Sequence, residues 1–225
     1  MTQANSLIGM VRRFAARRRI GLALLGLILA LLAGARLWPH PSLKGWKPSS
    51  VAVYDAHGQL LRLVLASDER YRLWVPLDQM SPQLVDAVLL QEDNWYWWHP
   101  GFNPYGLIRG AWMTYVRHGN RQGGSTVTMQ LARLLWPLNT RSPLGKAGQV
   151  ARAIQLELFY SKHDILEAYL NYAPYGHNVE GAGAAAIAYF DRPVAALSLP
   201  EALSLAVLPQ DPERRVRSGG SILIN

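Results

Sequence analysis

The stretch that decides the fold of this chain is Glu92-Asp93-Asn94-Trp95-Tyr96-Trp97-Trp98-His99-Pro100-Gly101. A second block follows after 21 residues and reads Gly123-Gly124-Ser125-Thr126-Val127-Thr128-Met129-Gln130-Leu131-Ala132-Arg133. The first block ends a predicted amphipathic helix with two carboxylates, and the second begins another helix with hydroxyls, an amide and a cation. The acidic pair alone would suit a buried ion pair, whereas the two blocks together indicate half of an active site.

The composition suits one globular domain with an appendage. Half of the 225 residues are apolar, which is enough for a substantial core. The formal net charge is +8, and the first nineteen residues hold five arginines and no acid, so +8 minus +5 leaves +3 for the rest. So small an excess, without a basic helix or an RNA-binding motif, argues against a nucleic-acid partner. The absence of cysteine excludes disulfides and thiolate metal sites.

An apolar run near the N-terminus predicts a membrane anchor. The run from Ile20 to Ala35 follows a cluster of arginines and is closed by Arg36-Leu37-Trp38-Pro39. A helix of this length rises about 24 Å, and Trp38 and snorkelling arginines extend it towards the roughly 30 Å hydrocarbon core. The basic flank places the N-terminus in the cytoplasm and the rest of the chain outside. A cleaved signal peptide is the competing interpretation, because Ala33-Gly34-Ala35 resembles a cleavage site.

The remaining pattern predicts a small hairpin followed by helices. Residues 51–54 and 60–65 alternate as strands around a turn, and 71–75 is a candidate third strand. Ser81-Pro82 begins the helix that ends near Glu92. Ser161 to Asp164 and Ser198 to Glu201 have capping-box spacing. Further helices are predicted at about 104–117, 125–135, 144–160, 162–172, 181–189 and 200–208.

Glu92 is the first candidate for chemistry. It ends a helix, where the negative end of the dipole disfavours a carboxylate, and aromatic residues follow it. Such surroundings suit a carboxyl group that accepts or donates a proton near neutral pH. An ion pair with a nearby arginine is the alternative, and Glu92 taken alone does not decide between them.

The second block and the residues after it predict an anion site. Gly123-Gly124 allows the backbone to approach a ligand, and Ser125 or Thr126 would cap a helix whose free N–H groups suit phosphate or pyrophosphate. A simple helix cap is the alternative for Ser125. Three positive charges that suit a departing pyrophosphate lie over fourteen positions: Arg133, Arg141 and Lys146.

Two more motifs complete the pattern, namely Lys146 to Glu157 and Asp164-Ile165-Leu166-Glu167-x-Tyr169-Leu170-Asn171. With Glu92-Asp93-x-x-Tyr96-x-x-His99-x-Gly101 and the block from Gly123 to Arg133, the chain from about 70 to 210 resembles the peptidoglycan glycosyltransferase family (glycosyltransferase family 51). Through Met129 and Gln155-Leu156-Glu157, it is most similar to the N-terminal domain of the family's penicillin-binding members of the 1C type.

The resemblance implies a mainly α-helical, lysozyme-like glycosyltransferase domain with a small N-terminal β-hairpin and a transmembrane helix. It implies a single-pass protein of the bacterial inner membrane, with the catalytic domain on the periplasmic side. The implied activity is polymerisation of lipid II into β-1,4-linked glycan strands, with inversion and release of undecaprenyl pyrophosphate. Lipid II, the growing strand, the membrane and other cell-wall synthases are the implied partners.

The family's residues can be carried over by position. Glu92 matches the base that takes the proton from the acceptor sugar's 4-hydroxyl, and Asp93 matches its acidic neighbour. The segment from Phe102 to Val116 corresponds to a region that touches lipid in the family. The residues that match the substrate-binding positions are Ser125, Gln130, Arg133, Arg141 and Lys146.

Gln149 departs from the family pattern, because it stands where the family usually has a second glutamate. An amide keeps hydrogen bonding but lacks the charge that orients a cation. We therefore expect Gln149 to support the site, assign no metal ligand, and leave open whether Mg²⁺ or Mn²⁺ is a cofactor. Neither Ser-x-x-Lys nor Lys-Thr-Gly occurs in the sequence, so no transpeptidase domain is expected in this chain.

The predicted organisation has five segments and leaves two functional alternatives open. One alternative is a lysozyme-like lytic enzyme, and the other is a truncated, non-catalytic remnant that binds lipid II or partner synthases. The first three segments are a basic cytoplasmic tail at 1–19, a transmembrane anchor at 20–38 and a linker with a small β segment at 39–80. The glycosyltransferase domain follows at 81–212, and an atypical tail, for which truncation is one interpretation, lies at 213–225.

Overall fold

The chain divides into two compact units, Met1–His40 and Pro41–Asn225. A computed structural model describes residues 2–57, 60–115, 124–140 and 142–210. The first unit is one long helix, α1 (Thr2–Leu37). Its stretch Arg17–Leu37 has a mean hydropathy of 2.3 and none of it is buried, so this helix is long and apolar enough to cross a membrane. The predicted apolar N-terminal helix is confirmed.

The second unit is mainly α-helical, as predicted, and the helix boundaries lie within two residues of those expected wherever the structure describes them. The helices are α2 (Pro82–Glu92), α3 (Pro104–Tyr115), α4 (Val127–Leu135), α5 (Pro143–Phe159), α6 (Lys162–Tyr172), α7 (Ala182–Phe190) and α8 (Leu199–Val207). Both predicted capping boxes are present, at Ser161 with Asp164 and at Ser198 with Glu201.

Helix α6 lies at the centre of the core. Its residues from Ile165 to Tyr172 are buried except for Glu167, which is partly buried. Helices α4, α5 and α7 pack around it, and α2 packs against α8. Polar side chains of a central helix need partners inside the protein, and Glu167 and Asn171 of α6 bond to the chain segment that precedes α2.

Two small sheets accompany the helices. Strands β1 (Val51–Tyr54) and β2 (Leu60–Val64) form the predicted antiparallel hairpin. The candidate third strand does not extend this hairpin. Strand β3 (Tyr71–Arg72) instead pairs in parallel with β5 (Val179–Glu180), which pairs antiparallel with β4 (Pro174–Gly176). The sequence pattern could not show this pairing, because β5 lies more than 100 residues further along the chain.

A buried arginine explains why β3 pairs with β5. Arg72 donates to Glu180 at 2.6 Å and to Asp68 at 3.0 Å, and also to the Pro48 carbonyl. Burial alone would lower the pKa of Arg72, but the hydrogen bonds with the two carboxylates raise it. The ion pair with Glu180 therefore joins β3 to β5 in the sheet beside α6.

The segment predicted as a linker packs against the helical domain. Leu43 is buried in the core, and its carbonyl accepts a hydrogen bond from the Tyr172 hydroxyl at 2.6 Å. The Tyr160 hydroxyl donates to the Pro41 carbonyl at 2.8 Å. Residues from Pro41 onwards are thus held by α6 and by the end of α5, within the second compact unit. The tail predicted at 213–225 lies outside the described residues.

Asn171 fastens the segment before α2 to α6. Its side chain accepts from the Val75 N–H at 2.9 Å and donates to the Val75 carbonyl at 2.8 Å, as a neighbouring strand would. Next to this contact, Gly183 of α7 lies so close to the Leu73 carbonyl that a Cβ would stand 2.7 Å from its oxygen. The small residues of α7 thus allow close packing against the segment before α2.

Asn171→Leu is expected to lower the free energy of unfolding by about 2–4 kcal/mol, because it leaves two backbone groups of Val75 without their side-chain partner. Urea unfolding of the detergent-solubilised chain, followed by tryptophan fluorescence, measures the loss. Asn178→Leu is the matched control, since the Asn178 side chain makes a 3.4 Å bond to Glu69 at the exposed surface. Equal losses in the two variants would contradict the assignment.

Candidate active site

Asp93 joins the end of α2 to the start of α4. It is the C-cap residue of α2, and its Oδ2 accepts a hydrogen bond from the Val127 N–H at 3.0 Å. The same carboxylate contacts His99 Nε2 at 2.8 Å. Both partners donate to a buried carboxylate, and the N-terminus of α4 carries a partial positive charge, so the arrangement links the end of α2 to the start of α4.

The turn after Asp93 fixes which ring nitrogen of His99 carries the proton. The Gly101 N–H donates to His99 Nδ1 at 3.2 Å, so Nδ1 is an acceptor and the proton on Nε2 points to Asp93. Gly101 has a φ of +88°, and a Cβ there would stand 2.9 Å from the Ala153 carbonyl oxygen. Glycine is therefore required where the first block ends.

Thr126, not Ser125, caps α4. The Thr126 hydroxyl accepts from the Met129 N–H at 3.1 Å and donates to the Gly101 carbonyl at 2.6 Å. Two amides of the first turn, those of Val127 and Met129, are thus already bonded to Asp93 and Thr126. These two N–H groups are therefore not free to bind phosphate, because the protein's own side chains already accept from them.

Glu92 is the last residue of α2 and is partly buried. Its Oε2 accepts a hydrogen bond from Gln130 Nε2 at 2.7 Å. The side-chain oxygen Oε1 of Gln130 in turn accepts from the Tyr169 hydroxyl at 3.3 Å. This bond fixes the orientation of the side-chain amide. Gln130 thus holds the candidate base, and its predicted contact with substrate stays a prediction.

A partly buried lysine beside Ser125 supplies positive charge. Lys146 Nζ, on the first turn of α5, donates to Ser125 Oγ at 2.6 Å and to Gln149 Oε1 at 3.0 Å. Burial and, after it, the charge of Arg133 lower the pKa of Lys146. Within the described part of the chain, neither Lys146 nor Arg133 forms a salt bridge. Two cations near each other without an acidic partner favour an anionic ligand.

Both ends of the Gln149 side-chain amide make hydrogen bonds that hold this cluster around Lys146 together. Its side chain is 1% exposed, its oxygen accepts from Lys146, and its nitrogen donates to the Met129 carbonyl at 2.5 Å. A carboxylate could not donate to that carbonyl. The residues that meet at Gln149 therefore do not fit a divalent cation, which prefers carboxylate and carbonyl oxygens that are free to coordinate. Among the described residues, no group of three or more His, Asp or Glu side chains could hold a metal ion.

A cavity of about 240 Å³ opens at the junction of α2, α3 and α4. Glu92, Asp93 and Ser125 line it, as the sequence predicted, and α3 supplies Tyr105 and Arg109 on the other side. Sequence reasoning missed Arg109, although its spacing of four residues from Tyr105 places both on one helix face. Asn103 also lines the cavity and bonds to the Gly106 N–H at the start of α3.

Gly124 allows the chain before α4 to pack closely against α3. A Cβ at Gly124 would stand 2.3 Å from the Gly106 carbonyl oxygen of α3. The sequence predicted that glycine here lets the backbone approach a ligand, but its close neighbour is the backbone of another helix. Gly123 and the predicted cation Arg141 lie outside the described residues.

The predicted site residues that the structure describes fall into neighbouring groups. Glu92 and Gln130 bond to each other, Asp93 holds the adjacent turn, and Ser125, Lys146 and Gln149 form a hydrogen-bonded row whose cation is influenced by Arg133. The aromatic run does not enclose Glu92 as expected. Trp95, Trp97 and Trp98 are exposed, and only Tyr96 enters the core.

Known proteins share this arrangement of motifs. A transglycosylase family model matches residues 57–219. Penicillin-binding protein 1C of Escherichia coli is 43% identical over 188 residues, which cover 84% of this chain and 24% of that protein. Proteins named biosynthetic peptidoglycan transglycosylase from Rhodospirillum centenum and Azoarcus sp. are 34% and 32% identical over 92% and 90% of this chain. The chain spans about a quarter of the length of the first relative and 84% and 89% of the other two.

Asp93→Asn is expected to lower the free energy of unfolding by about 1–3 kcal/mol, because an amide places a donor against one of the two N–H groups that Asp93 accepts. Asp86→Asn is the matched control, since Asp86 is an exposed residue of the same helix. Urea unfolding at neutral pH measures both. A loss no larger than that of the control would show that the Asp93 junction does not hold α2 to α4.

Proposed function

Because this chain belongs to the transglycosylase family, we propose that it is a peptidoglycan glycosyltransferase that polymerises lipid II into β-1,4-linked glycan strands. One observation carries the proposal: a carboxylate lines the same cavity as Ser125, which bonds to a lysine that has no acidic partner among the described residues. Glu92 lines the cavity, and Lys146 reaches its wall through Ser125. The carboxylate suits a sugar hydroxyl that loses a proton, and the cation suits a pyrophosphate.

Glu92 is the proposed base. It takes the proton of the acceptor's 4-hydroxyl while that oxygen attacks the anomeric carbon of the donor, and the bond from this carbon to the pyrophosphate breaks with inversion. A pyrophosphate leaves as a stabilised anion and needs no second carboxylic acid, unlike the sugar oxygen that a glycosidase protonates. This suits a cavity in which the neighbouring carboxylate, Asp93, is already bonded to Val127 and His99.

Lys146, Arg133 and Ser125 are the proposed contacts of the donor's pyrophosphate, with Arg141 as a further candidate. Lys146 is bonded only to neutral oxygens in the described residues, so an incoming anion does not have to displace an acidic partner. Gln149 holds Lys146 against α4 without neutralising its charge. Arg109 approaches the cavity from α3 and is proposed as an additional contact with the charged substrate.

The membrane is the proposed setting of the reaction. Several exposed apolar and aromatic side chains lie beside the cavity or on the same segments, namely Trp95, Trp97, Trp98, Tyr105, Ile108 and Trp112. Amphipathic aromatic residues are favoured at the level of lipid headgroups. With α1 as an anchor and its arginines in the cytoplasm, the catalytic domain would face the periplasm at the inner membrane. Other cell-wall synthases are proposed partners.

Glu92→Gln should lower polymerisation of lipid II by about 10²–10⁴-fold, because a general base of this kind contributes that much to the rate. The assay uses the detergent-solubilised full chain and resolves glycan products by length. Glu69→Gln is the matched control, since Glu69 is exposed and belongs to the turn before β3, and it should retain activity.

Three results would separate the candidates. Equal product from wild type and Glu92→Gln would sink the proposed role of Glu92. Release of muropeptides from purified sacculi would indicate a lytic enzyme, and binding of a lipid II analogue without any turnover would indicate a non-catalytic protein.

Lys146→Met should weaken binding of inorganic pyrophosphate by about 10- to 100-fold, because a charge-assisted hydrogen bond contributes roughly 1.5–3 kcal/mol. Burial and the charge of Arg133 lower the pKa of Lys146, so it loses its charge at a lower pH than an exposed lysine, and a bound anion restores the charge. Wild type should therefore take up protons on binding at such a pH. Calorimetry in buffers of different ionisation enthalpy measures this uptake.

Lys44→Met is the control for this measurement, because Lys44 is an exposed lysine outside the cavity. Its affinity and proton uptake should match those of wild type. Proton uptake that persists in Lys146→Met would assign the linkage to another group and contradict the prediction.

A further inference from the structure

Lys162 stands where its own helix disfavours it. It is the first residue of α6, directly after the N-cap Ser161, and the partial positive charge at the N-terminus of a helix repels a cation. Its side chain is nevertheless only 20% exposed. A largely buried cation in such a place needs contacts with other parts of the protein, and those of Lys162 lead to the first sequence block.

Glu157 supplies the negative charge that Lys162 needs. Oε1 of Glu157 accepts from Lys162 Nζ at 2.7 Å, and the Thr128 hydroxyl of α4 donates to the same oxygen at 2.7 Å. The Glu157 side chain is 13% exposed, so solvent screens this pair less than it screens an ion pair at the surface. The pair therefore joins the end of α5 to the start of α6 and to α4.

Lys162 also holds the turn between Asp93 and Gly101. Its Nζ donates to the His99 carbonyl at 2.8 Å and lies 4.4 Å from the centre of the Tyr96 ring. The backbone of Lys162 takes part as well, because its carbonyl accepts from the Tyr96 hydroxyl at 2.5 Å. One residue of α6 thus makes three contacts with this turn.

The same turn places Trp95 in the wall of the cavity. Trp95 lines the cavity together with Glu92, and its side chain is 63% exposed. The Trp95 carbonyl accepts from the Trp98 N–H at 2.9 Å. The position of the indole therefore depends on the turn and not on burial in the core. An exposed indole at a cavity offers a flat apolar surface and an N–H donor to a substrate.

We propose that Lys162 is a positioning residue for substrate binding. With Glu157 as its counter-ion, it holds the turn so that Trp95 contacts the lipid-linked substrate in the cavity. Neither Lys162 nor Glu157 is among the described residues that line the cavity, so both act through the turn. The functional part of this inference rests on the proposed function.

A second lysine–glutamate pair of the chain provides a matched control. Lys47 bonds to Glu180 at 3.1 Å, and the side chains of this pair are 21% and 12% exposed, against 20% and 13% for Lys162 and Glu157. Lys47 also lies over a tyrosine ring, 5.4 Å from the centre of Tyr172. The two pairs thus resemble each other in chemistry and burial, but the contacts of Lys47 lie on the segment before β1.

The first measurement is KM for lipid II polymerisation by the full chain in detergent. Lys162→Met should raise KM by about 3- to 10-fold and change kcat by less than about 2-fold, because residues without ligand contact alter binding by amounts of this order. Glu157→Gln keeps an oxygen for Thr128 but loses the charge, so it should raise KM by a smaller factor. Lys47→Met should leave KM unchanged, although both lysine variants should lower the melting temperature by about 2–4 °C.

A double substitution tests whether Lys162 acts through Trp95. Trp95→Ala alone should raise KM by about 10-fold, since the truncation of an aromatic anchor commonly costs this much affinity. Lys162→Met added to Trp95→Ala should raise KM further by less than about 2-fold, because the contact that Lys162 positions is already lost.

Hydrogen exchange reports on the turn without requiring activity. The N–H groups of Tyr96 and Trp98 are bonded to the carbonyls of Asp93 and Trp95 within the turn. In Lys162→Met these two amides should exchange about 10-fold faster than in wild type, because the turn opens more often. Mass spectrometry of peptides that cover residues 93–101 measures the rates, and Lys47→Met should leave them unchanged.

An unchanged KM in Lys162→Met would overturn the proposal. An equal rise in Lys47→Met would do the same, and so would a full additional effect of Lys162→Met in the Trp95→Ala background. If wild type polymerises no lipid II, the proposed function fails. Hydrogen exchange then still decides whether Lys162 holds the turn, and rates equal to those of wild type would overturn that part as well.

Discussion

The hydrogen bonds of the Asp93 carboxylate fix the geometry on which the cavity depends. This side chain lies where α2 ends and accepts from the first amide of α4 and from His99 of the intervening turn. A carboxylate at the C-terminus of a helix is disfavoured by the helix's own dipole, but the N-terminus of a second helix reverses that effect. Because Glu92 is the preceding residue, the bond that secures Asp93 also places the backbone of Glu92 at the cavity.

The opposite wall depends on a charge that has no acidic partner among the described residues. Lys146 is partly buried, and its bonds go to a hydroxyl and an amide. Gln149 makes this possible, since its oxygen accepts from Lys146 while its nitrogen satisfies a carbonyl of α4. A glutamate would neutralise the cation and leave the carbonyl unpaired. The amide thus preserves net positive charge where the proposed substrate carries its pyrophosphate.

Much of the fold could be predicted from the sequence, because the signals that begin and end a helix lie in neighbouring residues. The caps at Ser161 and Ser198 and the end of α2 at Glu92 were confirmed. The pairing of β3 with β5 depends on contacts between distant residues, which no local pattern contains. The same limit applied to the site: motif positions gave Glu92, Ser125 and Lys146, whereas the bonds that set their roles cross from one helix to another. The capping role of Thr126 and the contact of Gln130 with Glu92 are of this kind.

The adjacent carboxylates at 92 and 93 show how one short segment divides structural and reactive duties. Asp93 has both partners it needs, and therefore contributes stability and resists further interactions. Among the residues that the structure describes, Glu92 has one oxygen bonded to Gln130 and one without a partner. Leaving that oxygen unpaired costs stability in the free protein, and a carboxylate satisfied as fully as Asp93 would be a poor proton acceptor. Residues near one another with the same chemistry can thus be told apart by their hydrogen bonds, and the incompletely bonded one is the candidate for chemistry.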